Sequence, residues 1–362
     1  KGSDYDFITQ DYDFFFKEYP QHIIIDESQE CPQIFRELRG VIDADRNQKN
    51  RFILTGSSSL TLLKGISDSL AGRVGIVEVG TLKVNELRGE GISEFYRIFE
   101  KKISGDTLLD LKSTIFQSYD SFSYLLKGGY PEPVQNKSEF AFNAWMENYH
   151  KTYIYSDVKK LFPKLNDVKY RRFISMLSSL TGTIINKAQL GRSIDTSEVT
   201  IRDYLDIVEN TILWRRLPSY ENNKTKSIVK MPKGHFRDTG LLHYLLNIND
   251  REQLIRSPIV GQSFESYVIE EILKGLESSL IPKWEYYYYR TRNGAEIDLI
   301  LEGSFGLMPI EIKSGSSTRV KQLTALSQFI KDQELPMGIV INNSDTIKLL
   351  TNNIVQVPAS CL

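Results

Sequence analysis

The stretch GAEIDLILEGSFGLMPIEIKSG, from Gly294 to Gly315, limits the fold most tightly, because two short apolar runs carry charged residues at strand spacing. Successive side chains of a strand point to opposite faces, so Glu296, Asp298 and Ile300 share one side of the first run and Ile297, Leu299 and Leu301 the other. In the second run Glu311 and Lys313 lie opposite Ile310 and Ile312. Paired as a hairpin, the two runs bring Asp298, Glu311 and Lys313 to one spot. Two carboxylates there suit a hard divalent cation, and the ammonium suits the orientation or activation of a water toward a phosphodiester. A helix would scatter these groups; a sheet gathers them. Upstream, GQSFESYVIEEILKGL reads as an amphipathic helix carrying Glu265. Downstream, VKQLTALSQFI reads as a helix whose Lys321 and Gln322 could face phosphates.

The amino-terminal third is built differently. In HIIIDESQECP the run Ile23 to Ile25 reads as a buried parallel strand ending in the adjacent acids Asp26 and Glu27. Acids at the carboxyl end of such a strand sit where open α/β sheets bind ligands, and Asp then Glu suits magnesium coordination followed by activation of a water. Taken singly, the same residues describe a strand closing in a solvated acidic turn. RFILTGSSSL gives a second apolar strand, Phe52 to Leu54, followed by small hydroxyl residues including Ser57, and SDSLAGRV presents Arg73 just after a glycine. A lone arginine there reads either as a surface residue or as a partner for a neighbouring subunit's phosphate.

Between the two lies a basic middle. The chain as a whole has a net charge of -1, yet from Lys151 to Asp238 it holds 17 Lys and Arg against 9 Asp and Glu, an excess of +8. FSYLLKGGYPEPV interrupts the helical periodicity with Gly128, Gly129, Pro131 and Pro133, marking a turn between modules near Phe122. The run from Tyr170 to Leu217 reads as three helices followed by an extended segment. Asp195 with Glu198 resembles a capping box, and Val199, Ile201, Leu205 and Val208 form the apolar face of the last helix, with Thr200, Arg202 and Asp203 pointing elsewhere. This is a winged-helix layout, with Lys224, Lys226, Lys230 and Lys233 supplying a wing against phosphates. The alternative is a module packed between its neighbours, its lysines a solvated face; both readings stand. FRDTGLLHYLL carries Arg237 and Asp238, read as a structural bridge or turn rather than a catalytic pair, and His235 and His243 lack metal-ligand company.

Together, IIIDESQ, FILTGSSSL and SLAGRV resemble the AAA-type ATPases of bacteria and archaea that precede a carboxy-terminal domain of unknown function, and the resemblance continues through GGYPEP and KGHFRDTGLLHYLL. It implies that Asp26 holds Mg2+, Glu27 polarises the attacking water, Ser57 or its neighbours act as sensor and Arg73 serves as an arginine finger, within a homo-oligomer formed through the ATPase domain. No G-x-x-x-x-G-K-[ST] occurs in the chain, so ATP is expected as the cofactor of a longer form, and this polypeptide is expected not to hydrolyse it. The D…ExK spacing in the last third resembles the PD-(D/E)XK nucleases. That likeness implies catalytic Asp298, Glu311 and Lys313, with Mg2+ held by Asp298, Glu311 and Glu265; Gly294 and Ala295 stand where a proline is usual. The bland alternative is a retained fold whose acids and lysine form a buried salt-bridged cluster.

The expected architecture is α/β: a partial P-loop ATPase domain with a parallel sheet over residues 1–100, a helical lid and linker over 101–160, a winged-helix-like module over 161–245, and a PD-(D/E)XK nuclease-like α/β domain over 246–362. A length of 362 residues accommodates this many modules. No apolar run is long enough to span a bilayer, so no membrane partner is expected, and two cysteines, Cys31 and Cys361, suit a reducing cytoplasm. The first residues, KGSDYDF, lack a start methionine and read as a cut inside a longer protein. The expected function is an ATPase coupled to a DNA-binding or nuclease-like domain, with DNA as partner. The alternative is a non-catalytic interaction or scaffold protein.

Overall fold

A computed structural model describes residues 2–56, 69–107, 111, 119–136, 138–221 and 231–362. Ser57 and three of the expected wing lysines, Lys224, Lys226 and Lys230, lie outside them. The chain divides into two units, Lys1–Val79 and Gly80–Leu362. Among the described residues no helix is long and apolar enough to cross a membrane.

In the first unit β1 (Ile23–Ile25) pairs in parallel with β2 (Phe52–Leu54), Ile24 opposite Ile53. The helix between them, α1 (Ile34–Ala44), buries Ile34, Phe35 and Leu38 with Ile25, Phe15 and Phe16. The run of isoleucines is not buried throughout: Ile25 is 4% exposed but Ile24 67%. Strand alternation explains this, since one face meets α1 and its neighbours while the other carries Ile24 and Ile53.

The second unit holds two sheets. α2 (Asp167–Ser179), β3 (Thr183–Ile184), α3 (Lys187–Ser193), α4 (Glu198–Asn210), β4 (Trp214–Leu217) and β5 (Lys233–Phe236) follow in order, and the strands form an antiparallel sheet ordered β3-β5-β4. Each helix begins at a short polar side chain that accepts an orphan backbone N–H, Asn166 for α2, Asn186 for α3 and Ser197 for α4. The cap of α4 is therefore Ser197, not the Asp195–Glu198 pair. The stripe Ile201, Tyr204, Leu205 and Val208 packs on Tyr170, Phe173, Trp214 and Phe236, while Val199 stays exposed. Glycine is required at position 234, where a Cβ would meet the Trp214 indole at 2.5–2.7 Å. α5 (Thr239–Leu245) follows, capped by Asp238, which accepts from Leu241 N and from Gly129 N at 2.8 Å. The GGYPEP and FRDTG segments thus lock together, and Asp238 is structural.

The second sheet has six strands, β6 (Glu285–Arg290), β7 (Glu296–Gly303), β8 (Gly306–Lys313), β9 (Gly338–Asn342), β10 (Lys348–Thr351) and β11 (Ile354–Pro358), ordered β10-β11-β9-β8-β7-β6. β6, β7 and β8 form an antiparallel meander; β9 lies parallel to both β8 and β11. α6 (Val260–Ser278) covers one face through Leu299, Leu301, Ile310 and Ile339, and α7 (Thr324–Asp332) the other through Ile300, Val340 and Ile354. With both faces covered, Asp298 and Glu311 enter a buried sheet, whereas Glu296 and Lys313 of the same hairpin stay partly exposed. α6 is not amphipathic in the folded chain either: every residue from Ser266 to Leu273 is buried. Val84, Phe95, Tyr96, Phe99 and Phe122 share its core, which closes the side that the sheet leaves open.

Candidate functional site

β7 and β8 deliver their acids at one end of the hairpin. Asp298 is 9% exposed and Glu311 6%. Asp298 Oδ2 accepts the Ile312 N–H at 2.8 Å, and Glu311 Oε1 accepts from Lys313 Nζ. Glu311 Oε2 is buried without a hydrogen-bond partner among the described residues. α6 contributes Glu265.

A residue expected on a solvated wing joins them. Lys233, 4% exposed on β5, places Nζ 2.7 Å from Glu265 Oε1, 2.8 Å from Glu296 Oε1 and 3.8 Å from Asp298 Oδ1. Burial by itself would depress this ammonium's pKa, but Glu265, Asp298 and Glu296 together reverse the effect and raise it. Burial, and then the charge of Asp298, pushes Glu265 up to about 8 and Glu311 likewise up to about 8; Lys233 offsets part of the first shift and Lys313 part of the second. Oxygen donors of this kind suit Mg2+ or Mn2+. Their placement does not: among the described residues no group of three or more His, Cys, Asp or Glu is arranged to hold a metal ion, and the lysine ammonium stands among the carboxylates. Lys321 and Gln322 are exposed.

Beside this cluster runs a second, wholly buried one. Glu270 on α6 accepts from Arg215 Nε and Nη2, from Arg237 Nε at 3.2 Å, and pairs with His235 Nε2 at 3.0 Å. Burial works against the Glu270 carboxylate, yet Arg215 and Arg237 hold its pKa well below the usual range. Lys233, His235 and Arg237 alternate along KGHFR, so β5 turns a basic edge to the acids of α6 while Phe236 faces the helical core. That alternation, and the adjacent acids Glu270 and Glu271 inside an apolar helix, are the signals by which both clusters could have been found.

In the first unit, Asp26 is exposed at the end of β1 and accepts from Thr55 Oγ1. Glu27 has a left-handed backbone (φ 52, ψ 42) and takes the Gln29 amide on its carboxylate, and its carbonyl accepts from Tyr5 at 2.9 Å. Arg73 is bound to Asp43 of α1 by two hydrogen bonds of 2.8 Å.

Residues 3–88 match an AAA domain, residues 119–252 a domain of unknown function, DUF8612, and residues 260–362 a second one, DUF4143. The uncharacterized proteins Rv2008c of Mycobacterium tuberculosis and Mb2031c of Mycobacterium bovis are each 31% identical over 337 residues, 93% of this chain and 68% of theirs. The chain therefore belongs to the family of these two mycobacterial proteins, with an AAA-type ATPase-like architecture in which an AAA domain stands at the amino end and DUF4143 at the carboxyl end.

Proposed function

We propose that the chain is a nucleotide-controlled interaction protein, in which an ATPase-like module governs a nuclease-like domain that engages a partner without cutting nucleic acid. The observation that carries this reading is the Lys233 ammonium bonded to Glu265 and Glu296, where a nuclease would need its carboxylates free for a cation. A nuclease-like fold is supported by the order α6, meander β6–β8, α7 and parallel β9. The order α2, β3, α3, α4, β4, β5 supports a winged-helix-like module. In the ATPase-like module, the end of β1 offers Asp26 for Mg2+ and Glu27 for a water, with Ser57 as sensor. Arg73 serves as an arginine finger only after leaving Asp43, and it would do so toward a second copy of the chain.

Action on DNA is the second reading, and Arg171, Arg172 and Arg192 favour it by standing exposed on α2 and α3. Weighing against it, α4 presents Glu198 and Asp203 to solvent with Arg202, and three of the basic residues of this region, Arg215, Lys233 and Arg237, are consumed by buried acids. Supercoiled plasmid incubated with the chain and Mg2+ or Mn2+ should remain intact. Metal-dependent nicking that D298N abolishes would overturn the non-cutting assignment. Duplex binding that weakens steeply with salt would decide for DNA as partner.

A further inference from the structure

We infer that Tyr5 is the positioning residue of the Asp26–Glu27 pair, its hydroxyl holding the chain in the left-handed turn that Glu27 makes after β1. The inference deepens the nucleotide reading of the amino-terminal module and rests on it only for what the two acids do. β1 and β2 pair in register as far as Ile25 and Leu54, and the Thr55 N–H goes on to donate to the Ile25 carbonyl at 3.0 Å. A regular parallel ladder would next bring the N–H of residue 27 to the Thr55 carbonyl. Ser28 takes that place instead, donating through its N–H and its Oγ, each at 2.9 Å. Glu27 is therefore an extra residue between two bonded ones, a bulge, with φ 52 and ψ 42. A bulge residue with that backbone is ordinarily glycine, because a left-handed conformation brings Cβ against the following carbonyl oxygen. A glutamate persists there only where its surroundings over-determine the turn, and outliers of this kind gather at functional sites.

Tyr5 supplies that constraint from outside the sheet. It lies on the helix Gly2–Gln10, and its half-buried ring packs against the core that holds Ile25, Ile34 and Phe35. Its hydroxyl shares one proton between the carbonyls of Asp26 and Glu27, at 2.9 Å from the second. Successive carbonyls of an extended strand point to opposite sides, so a single donor reaches both only where the chain turns. The side chains of the pair are held separately, Asp26 by Thr55 Oγ1 and Glu27 by the Gln29 amide. Tyr5 thus fixes the backbone on which both acids stand.

The test is amide hydrogen exchange of Ser28, whose N–H closes the bulge on Thr55, measured in the whole chain. Y5F keeps the ring and removes only the hydroxyl, and should speed exchange about five- to tenfold, the scale of one hydrogen bond. E27G, which stands left-handed without help, should exchange no faster than wild type. Adding Y5F to E27G should then change the rate by less than about twofold, because the turn no longer needs the clamp. A packing role for Tyr5 would speed exchange equally in both backgrounds and would overturn the inference, as would Y5F exchanging like wild type. Should Y5F unfold the first unit, E27G must restore it; a double variant that stays unfolded overturns the inference as well. In a longer form carrying a phosphate loop, E27Q with undiminished ATP turnover would sink only the nucleotide reading, and the coupling of Tyr5 to Glu27 would stand.

Discussion

Replacing Glu270 by glutamine tests whether buried charge holds the second unit together. The side chain keeps its shape but loses its charge, and its new NH2 faces donors on Arg215, Arg237 or His235. Glu270 is 2% exposed, Arg215 8% and Arg237 9%, so the two guanidinium groups are left with little water to replace the carboxylate. Breaking a buried ion pair by removing one partner costs about 3–5 kcal/mol, against roughly 0–1 kcal/mol for an exposed pair. At about 2–4 °C per kcal/mol for a unit of this size, the midpoint should fall by roughly 6–20 °C. Urea unfolding followed by far-ultraviolet circular dichroism should show a lower midpoint with an unchanged slope. In a double-mutant cycle with R215Q the two losses should not add, because the residues share one network. A loss under about 1 kcal/mol in E270Q would mean the network is solvated in practice, and the reasoning from burial would be wrong.

Two further predictions follow from the same packing. His243 Nδ1 donates to the Leu126 carbonyl at 3.0 Å and Nε2 accepts from Ser263 Oγ at 2.7 Å, and burial pushes its pKa down to about 4. Because the folded state disfavours the proton, its contribution is present above the unfolded pKa near 6.5 and is lost as pH falls toward 4. Stability should drop by about 3 kcal/mol over that window, a slope H243N should lack in denaturation measured at each pH. A Cβ at Gly275 would overlap the ring of Tyr96, whose hydroxyl is held by Lys83 and the Glu271 carbonyl. G275A should therefore destabilise by about 2–3 kcal/mol, whereas G40A, in α1 with open space around it, should stabilise by roughly 0.5–1 kcal/mol in the same unfolding assay.

Much of the local structure was legible because it repeats within a few residues. The runs Glu296 to Leu301 and Ile310 to Lys313 mark the hairpin, Ile201, Leu205 and Val208 mark a helix, and the apolar runs at Ile23 and Phe52 mark two strands, which pair in parallel; the strict alternation expected over Glu296 to Leu301 fails, because the register of β6 and β7 shifts there and Ile297 packs with Ile300 rather than with Leu299 and Leu301. These patterns depend on the geometry of a single element. Which side of each element meets water is a different matter. Ile24 faces outward although its neighbours suggest a core, and Glu270 and Glu271 are buried although acids suggest a surface, because burial depends on what the rest of the chain brings alongside.

By itself the sequence determined that Glu265 lies on a helix and that Asp298, Glu311 and Lys313 lie on two strands paired as a hairpin. Only the tertiary structure decided that Lys233 is their companion, that Arg73 is bonded to Asp43 and that Arg215 and Arg237 meet on Glu270. The physical reason is reach: backbone periodicity is set by neighbours a few residues apart, whereas Lys233 meets Glu296 across 63 positions and Arg215 meets Glu270 across 55. Contacts of that span form only when separate elements pack, and it is packing that gives a charge its partner and removes its water.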